Sequence, residues 1–171
     1  MIITAEAHLK YRSLLSSFYI CQYLGFSYLS IKNMTSGKIA IGPTASQGWE
    51  TGIRRTFNVA PDQAWELVFT QPILGAWLDN KADIAFEKGD TYTTASGITI
   101  HVTSVTTGKV IRMKWQQAPD TNISTLQIRV IPNKGKTTIA FHQEWLKDAR
   151  ERTDRNTAWK KVLDTIGEFI G

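Results

Sequence analysis

His101 and His142 are the side chains best suited to proton transfer near neutral pH, and each sits in a run of alternating polar and apolar residues. His142 shares a strand face with Glu144, and a His–Glu pair on one face can do acid–base work. The same pair is also an ordinary hydrogen-bonded couple on a solvated strand, which is the commoner arrangement. His101 alternates with Ile100 and Val102, so it falls on the polar face, toward solvent. The sequence has no Gly-x-Gly-x-x-Gly, no P-loop lysine motif and no Gly-x-Ser-x-Gly elbow, so dinucleotide and hydrolase chemistry have no support. No Cys/His/Asp cluster has metal-ligand spacing, and no catalytic residue, metal ligand or cofactor site is assigned. Cys21 is the single cysteine and cannot form an internal disulfide, which fits a reducing, cytoplasmic compartment.

The charge balance, +5 with pI near 9.4, is mildly basic. Its densest stretch, 147–161, interleaves Asp148, Glu151 and Asp154 with the cations, as on a solvated helix face. Arg112-Met113-Lys114-Trp115 mixes cations with an aromatic ring, but alternation puts Trp115 and the cations on opposite faces. No nucleic-acid partner is expected.

Those residues need a scaffold, and its elements follow from periodicity. Residues 52–59 read as a strand that Ala60-Pro61 ends, with Arg55 interrupting its apolar face. Pro61 is preset for the first turn of a helix, Asp62 suits its positive end, and Ala64, Trp65, Val68 and Phe69 form its stripe. Pro72 restarts a short helix through Trp77 and Leu78. Six more strands are expected over 82–86, 91–94, 98–103, 110–115, 125–130 and 137–145, separated by glycine-bearing turns or loops. On the last of these, Ile139, Phe141 and Trp145 share one side. A helix from about Asp148 carries Trp159, Val162, Leu163, Ile166, Phe169 and Ile170 at three-to-four spacing. The large apolar surface available to that stripe is the concave face of an antiparallel sheet. The expected class is therefore α+β: a curved sheet of about seven strands wrapped around a long C-terminal helix, the helix-grip arrangement.

The 171 residues divide at about residue 49, with one domain over 50–171. Residues 13–31 carry no charge, and 19 residues would just span a bilayer, but five Ser, a Gln and a Gly make insertion marginal. Met34-Thr-Ser-Gly-Lys is a plausible natural start. The apolar run before it is then a mis-assigned start or an accessory extension, a membrane anchor and a packed helix being the alternatives. Residues 37–51 read as a flexible lead-in.

Arg54-Arg-Thr-Phe-Asn-Val-Ala-Pro-Asp-Gln-Ala-Trp resembles the opening of SRPBCC (START-like) domains related to the C-terminal domain of the heat-shock protein 90 ATPase activator. Residues 73–78, Phe86-Glu-Lys-Gly-Asp, 110–115, 137–145 and Thr157-Ala-Trp159 resemble later elements of that family, in order. The resemblance covers about 50–171. It implies a non-enzymatic domain that binds an apolar small molecule, or a chaperone or other partner protein, as a monomer or homodimer with a link to stress. A polyketide cyclase-like or dehydrase-like enzyme using the same cavity, with His101 or His142 moving the proton, is the alternative. Trp77, Tyr92, Met113, Trp115, Trp145 and Trp159 are the expected cavity lining, and a plain packed core is the competing role for these rings.

Overall fold

The computed structural model describes residues 42–171. The readings made for Met34, for the uncharged run and for the lead-in up to residue 41 lie outside the described residues. In chain order the elements are β1 (Trp49–Phe57), α1 (Pro61–Val68), α2 (Ile73–Trp77), β2 (Thr91–Thr93), β3 (Ile98–Thr106), β4 (Val110–Gln117), β5 (Ile123–Asn133), β6 (Lys136–Leu146) and α3 (Ala149–Ile170). One sheet runs β1-β6-β5-β4-β3-β2, every neighbouring pair antiparallel. Consecutive strands from β2 to β6 therefore pair as a meander, and β1 closes against the last strand.

Alternation decides which face is core. Ile100 and Val102 on β3, Ile111, Met113 and Trp115 on β4, Leu126, Ile128 and Val130 on β5, and Ile139 and Phe141 on β6 are all buried. Trp159, Val162, Leu163 and Ile166 of α3 are buried in the same cluster. The stripe stops there: Ile170 is half-buried and Phe169 is 58% exposed. The start of α3 is fixed by a reciprocal cap. The Asp148 carboxylate accepts from Glu151 N at 2.8 Å, and Glu151 reaches back to accept from Lys147 N at 2.8 Å.

Two expectations need correction. Residues 82–86 form no strand, so the sheet has six strands rather than seven. Phe86 has φ 59°, a left-handed backbone that a continuous strand does not hold, and its ring packs against Phe69 and Trp77. The turn that follows docks on β3 instead, with Gly89 N donating to Val102 O at 2.9 Å and Val102 N to Asp90 O at 2.8 Å. The second correction is Trp145. Strict alternation places it inward with Phe141, but β6 carries a bulge against β1. Trp49 pairs with Leu146 while Thr51 pairs with Gln143, so β6 spends one residue more than its partner. Trp145 takes φ 61°, Leu146 turns inward at 4% exposure, and Trp145 is left 46% exposed, lying over Gly48. A Cβ on Gly48 would come within 3.2 Å of that ring, and its own φ of 60° also favours glycine.

Arg55, the charged residue on the apolar face of β1, is accommodated by α3. Its guanidinium pairs with the Asp164 carboxylate and donates to Leu163 O at 3.2 Å. Both side chains remain accessible, 40% and 44%, so solvent screens the pair. Arg55→Leu should change the unfolding free energy by no more than about 1 kcal/mol in a denaturant titration. A much larger loss would mean that the pair, rather than the apolar stripe, holds α3 on the sheet.

Candidate functional site

Three of the expected lining residues meet in the palm between α3 and the sheet. Trp159, projecting from α3, stacks on Phe141 with ring centroids 5.2 Å apart and 16° between planes. It meets Trp115 edge-on at 5.7 Å and 85°, the arrangement the ring quadrupoles favour. Met113 precedes Trp115 by two residues on the same face of β4 and is fully buried.

A thread of polar atoms runs through this apolar region. Trp159 Nε1 donates to Gln143 Oε1 at 3.1 Å, Gln143 Nε2 to Ser124 Oγ at 2.8 Å, and Ser124 Oγ to the Trp115 carbonyl at 3.2 Å. Gln143 and Ser124 are buried, and each partner removes what would otherwise be an unpaired polar group. Trp115 Nε1 is the exception: buried, it finds no acceptor among the described residues. The Arg155 guanidinium lies 5.2 Å from the Trp115 ring centre, and burial pushes its pKa below the usual arginine value.

Trp77 is buried but belongs to a second aromatic group. Its Nε1 donates to Val68 O at 2.8 Å, which ties α2 to the end of α1. Its ring lies 5.7 Å from Phe86 and 6.0 Å from Phe69, Phe69 lies 4.9 Å from Phe86, and Trp65 extends the series at 4.8 Å from Phe69. Three of these rings, but not Trp77, wall an open groove of about 530 Å³ between α1, residues 85–88 and the β3–β4 turn. Trp65, Phe69, Phe86 and Val105 line it together with the charged residues Glu66, Glu87 and Lys88. These three rings were not among the expected lining residues. Trp65 and Phe69 stand four apart in the sequence, at helical spacing, which is a signal the chain carries; Phe86 carries none, because the alternation of 82–86 is that of a strand.

Tyr92 is half-buried on the short edge strand, and its hydroxyl donates to Asp79 Oδ2 at 3.5 Å. Burial first, and then the neighbouring Asp79 carboxylate, hold the phenol above its ordinary pKa. Trp145 stands apart from both aromatic groups.

The two histidines lie on the outer face of the sheet, opposite α3. His101 Nδ1 shares a 2.9 Å hydrogen bond with Thr91 Oγ1 across the β2–β3 pair and is exposed. His142 sits between two carboxylates, Glu50 at 3.1 Å from Nε2 and Glu144 at 3.3 Å from Nδ1. Glu144 is largely buried and also accepts from Arg112 at 3.3 Å and from Gln47 at 3.2 Å. The His142–Glu144 pair is therefore real. It is part of a polar cluster with Glu50 and Arg112 on the outer side of the sheet, and neither histidine faces the palm. Gly52, across from His142, leaves room for the ring: a Cβ there would meet it at 3.2 Å. Among the described residues no group of three His, Cys, Asp or Glu could hold a metal ion, and no helix is long and apolar enough to cross a membrane.

Comparison with known proteins places this arrangement. The chain is similar to an HSP90 activator from Plasmodium falciparum, at 18% identity over 72% of this chain and 97% of that one, with a TM-score of 0.61. It is similar to CalU16 from Micromonospora echinospora, at 16% identity over 71% and 76% of the two chains and a TM-score of 0.59. It is also similar to the Aha1 dimer from Colwellia psychrerythraea, at 17% identity over 71% and 95% and a TM-score of 0.58. At these identities the likeness is one of fold. No curated protein matches the chain. The family model described as Activator of Hsp90 ATPase homolog 1-like protein matches residues 58–171, which run from the end of the first strand through the terminal helix, and the chain belongs to that family.

Proposed function

We propose that the chain is a non-enzymatic binding module that takes a flat, apolar small molecule in the groove walled by Trp65, Phe69 and Phe86. The observation that carries this reading is the groove itself. It is concave, of the size that small-molecule sites have, and lined by Trp65, Phe69, Phe86 and Val105 together with the charged residues Glu66, Glu87 and Lys88. A flat molecule would exchange its hydration for contact with these rings, and Glu66 and Lys88 would set its orientation. The position of the histidines argues against the cyclase-like alternative, since neither His101 nor His142 can reach a molecule on the helix side of the sheet.

Nile red, a neutral planar dye, is a suitable probe. It should bind saturably with enhanced emission, and Trp65→Ala should weaken it about tenfold, equivalent to roughly 1.4 kcal/mol. Ile123→Ala, which alters an exposed apolar side chain on β5 outside the groove, should leave the affinity unchanged. Equal binding by the parent chain and Trp65→Ala would remove the groove as the site.

A further inference from the structure

The groove between α1 and residues 85–88 is not neutral. Glu66, Glu87 and Lys88 line it beside the rings, two carboxylates to one ammonium. All three residues are exposed, and none is ion-paired among the described residues. Lys88 can offset one carboxylate, and the other is left over. The groove therefore carries excess negative charge in a chain whose net charge is +5.

Two further features bear the same sign. Trp65 and Glu66 belong to the last turn of α1, where aligned peptide dipoles leave a partial negative charge, and that turn has no basic side chain. Its Glu66 and Leu67 carbonyls already accept from Phe69 N at 3.1 Å and Thr70 N at 3.4 Å, so they act as charge rather than as free acceptors. The ring faces also carry negative potential, tryptophan most strongly. Trp65 and Phe69 are only half-buried, which leaves part of each ring open to the groove.

We infer that the flat molecule taken by this groove is a cation, an aromatic ring system bearing a protonated amine or iminium group. This rests on the binding-module reading above and adds the ligand's charge to it. The ring lies against Trp65 and Phe69, and its positive nitrogen is drawn to Glu66 and Glu87. Exposed carboxylates alone hold a counter-ion weakly. Here they stand beside aromatic faces that hold a flat ring and attract its charge as well. The net charge of the chain works against a cation at long range, so a preference for one has to arise inside the groove.

Nile blue, a cationic dye, tests this against neutral Nile red, which has the same fused-ring frame. Both are titrated into the full chain at low ionic strength, and their dissociation constants are compared. Nile blue should bind about fivefold tighter. That preference should shrink as salt is added. Glu66→Gln combined with Glu87→Gln should bring the ratio of the two constants near one, and Lys88→Gln should enlarge it. These positions are exposed, so the folded state tolerates the changes. Trp65→Ala should weaken both dyes. Equal affinities for the two dyes in the parent chain, or a Nile blue preference that survives in the double variant, would overturn the cation assignment while leaving the groove as a site. Binding of both dyes that is indifferent to Trp65→Ala would remove the groove itself, and the assignment with it.

Discussion

Trp159→Ala is expected to lower the unfolding free energy by about 3–5 kcal/mol, read as a large fall in denaturant midpoint with little change in slope. The ring is 2% exposed and joins three strands of the sheet to the helix: it stacks on Phe141 of β6, meets Trp115 of β4 edge-on, and is hydrogen-bonded toward β5 through Gln143 and Ser124. Truncation removes the dispersion contacts, leaves a cavity between two rigid elements, and strands the Gln143 oxygen. Phe169→Ala, on the same helix but exposed, should cost a small fraction of that. Near-equal losses at the two positions would mean that α3 does not hold its inner face against the sheet.

Gln143→Leu is the second large effect, and it isolates the polar thread. The volumes are similar, so the change deletes hydrogen bonds more than it opens space. The Trp159 indole N–H loses its acceptor and Ser124 Oγ loses its donor, both in a buried setting. The expected loss is about 2 kcal/mol, most of it the penalty of an unsatisfied N–H. The same substitution in a Trp159→Phe background should cost clearly less, because no indole N–H then remains to be stranded. That difference is the coupling energy of the pair, and a value near zero would show that the thread contributes nothing beyond packing.

Much of this architecture is legible in the chain. Strands β3 and β4 bury one face and leave most of the other accessible, so their alternation names the inner residues directly; Met113 and Trp115 are found where period two puts them, while on β5 and β6 the apolar residues still alternate although Thr125, Gln127, Thr138 and Glu144 between them are buried as well. The helix start is legible for a different reason, since Asp148 and Glu151 are spaced for a reciprocal cap. Two kinds of information were not there to be read. A bulge adds a residue without any mark in the hydrophobic pattern, so counting by twos carried Trp145 to the wrong side. Residues 82–86 alternate like a strand, but what fixes them is the burial of Phe86 against Phe69, which follows α1, and Trp77 of α2, a tertiary contact that period alone does not reveal. The candidate site suffered for the same reason. Residue types indicated which aromatics are inside, and only the folded chain sorts them into two groups, Trp115 with Trp159 and Trp77 with the Phe69–Phe86 wall.

Native mass spectrometry of the chain isolated from its own cells addresses the proposed ligand most directly. The expected spectrum shows the folded chain with an added small-molecule mass that disappears on denaturation and is absent from Trp65→Ala prepared in parallel. A bare chain, or one that travels with a chaperone or other protein and retains no small molecule, would contradict the small-molecule reading.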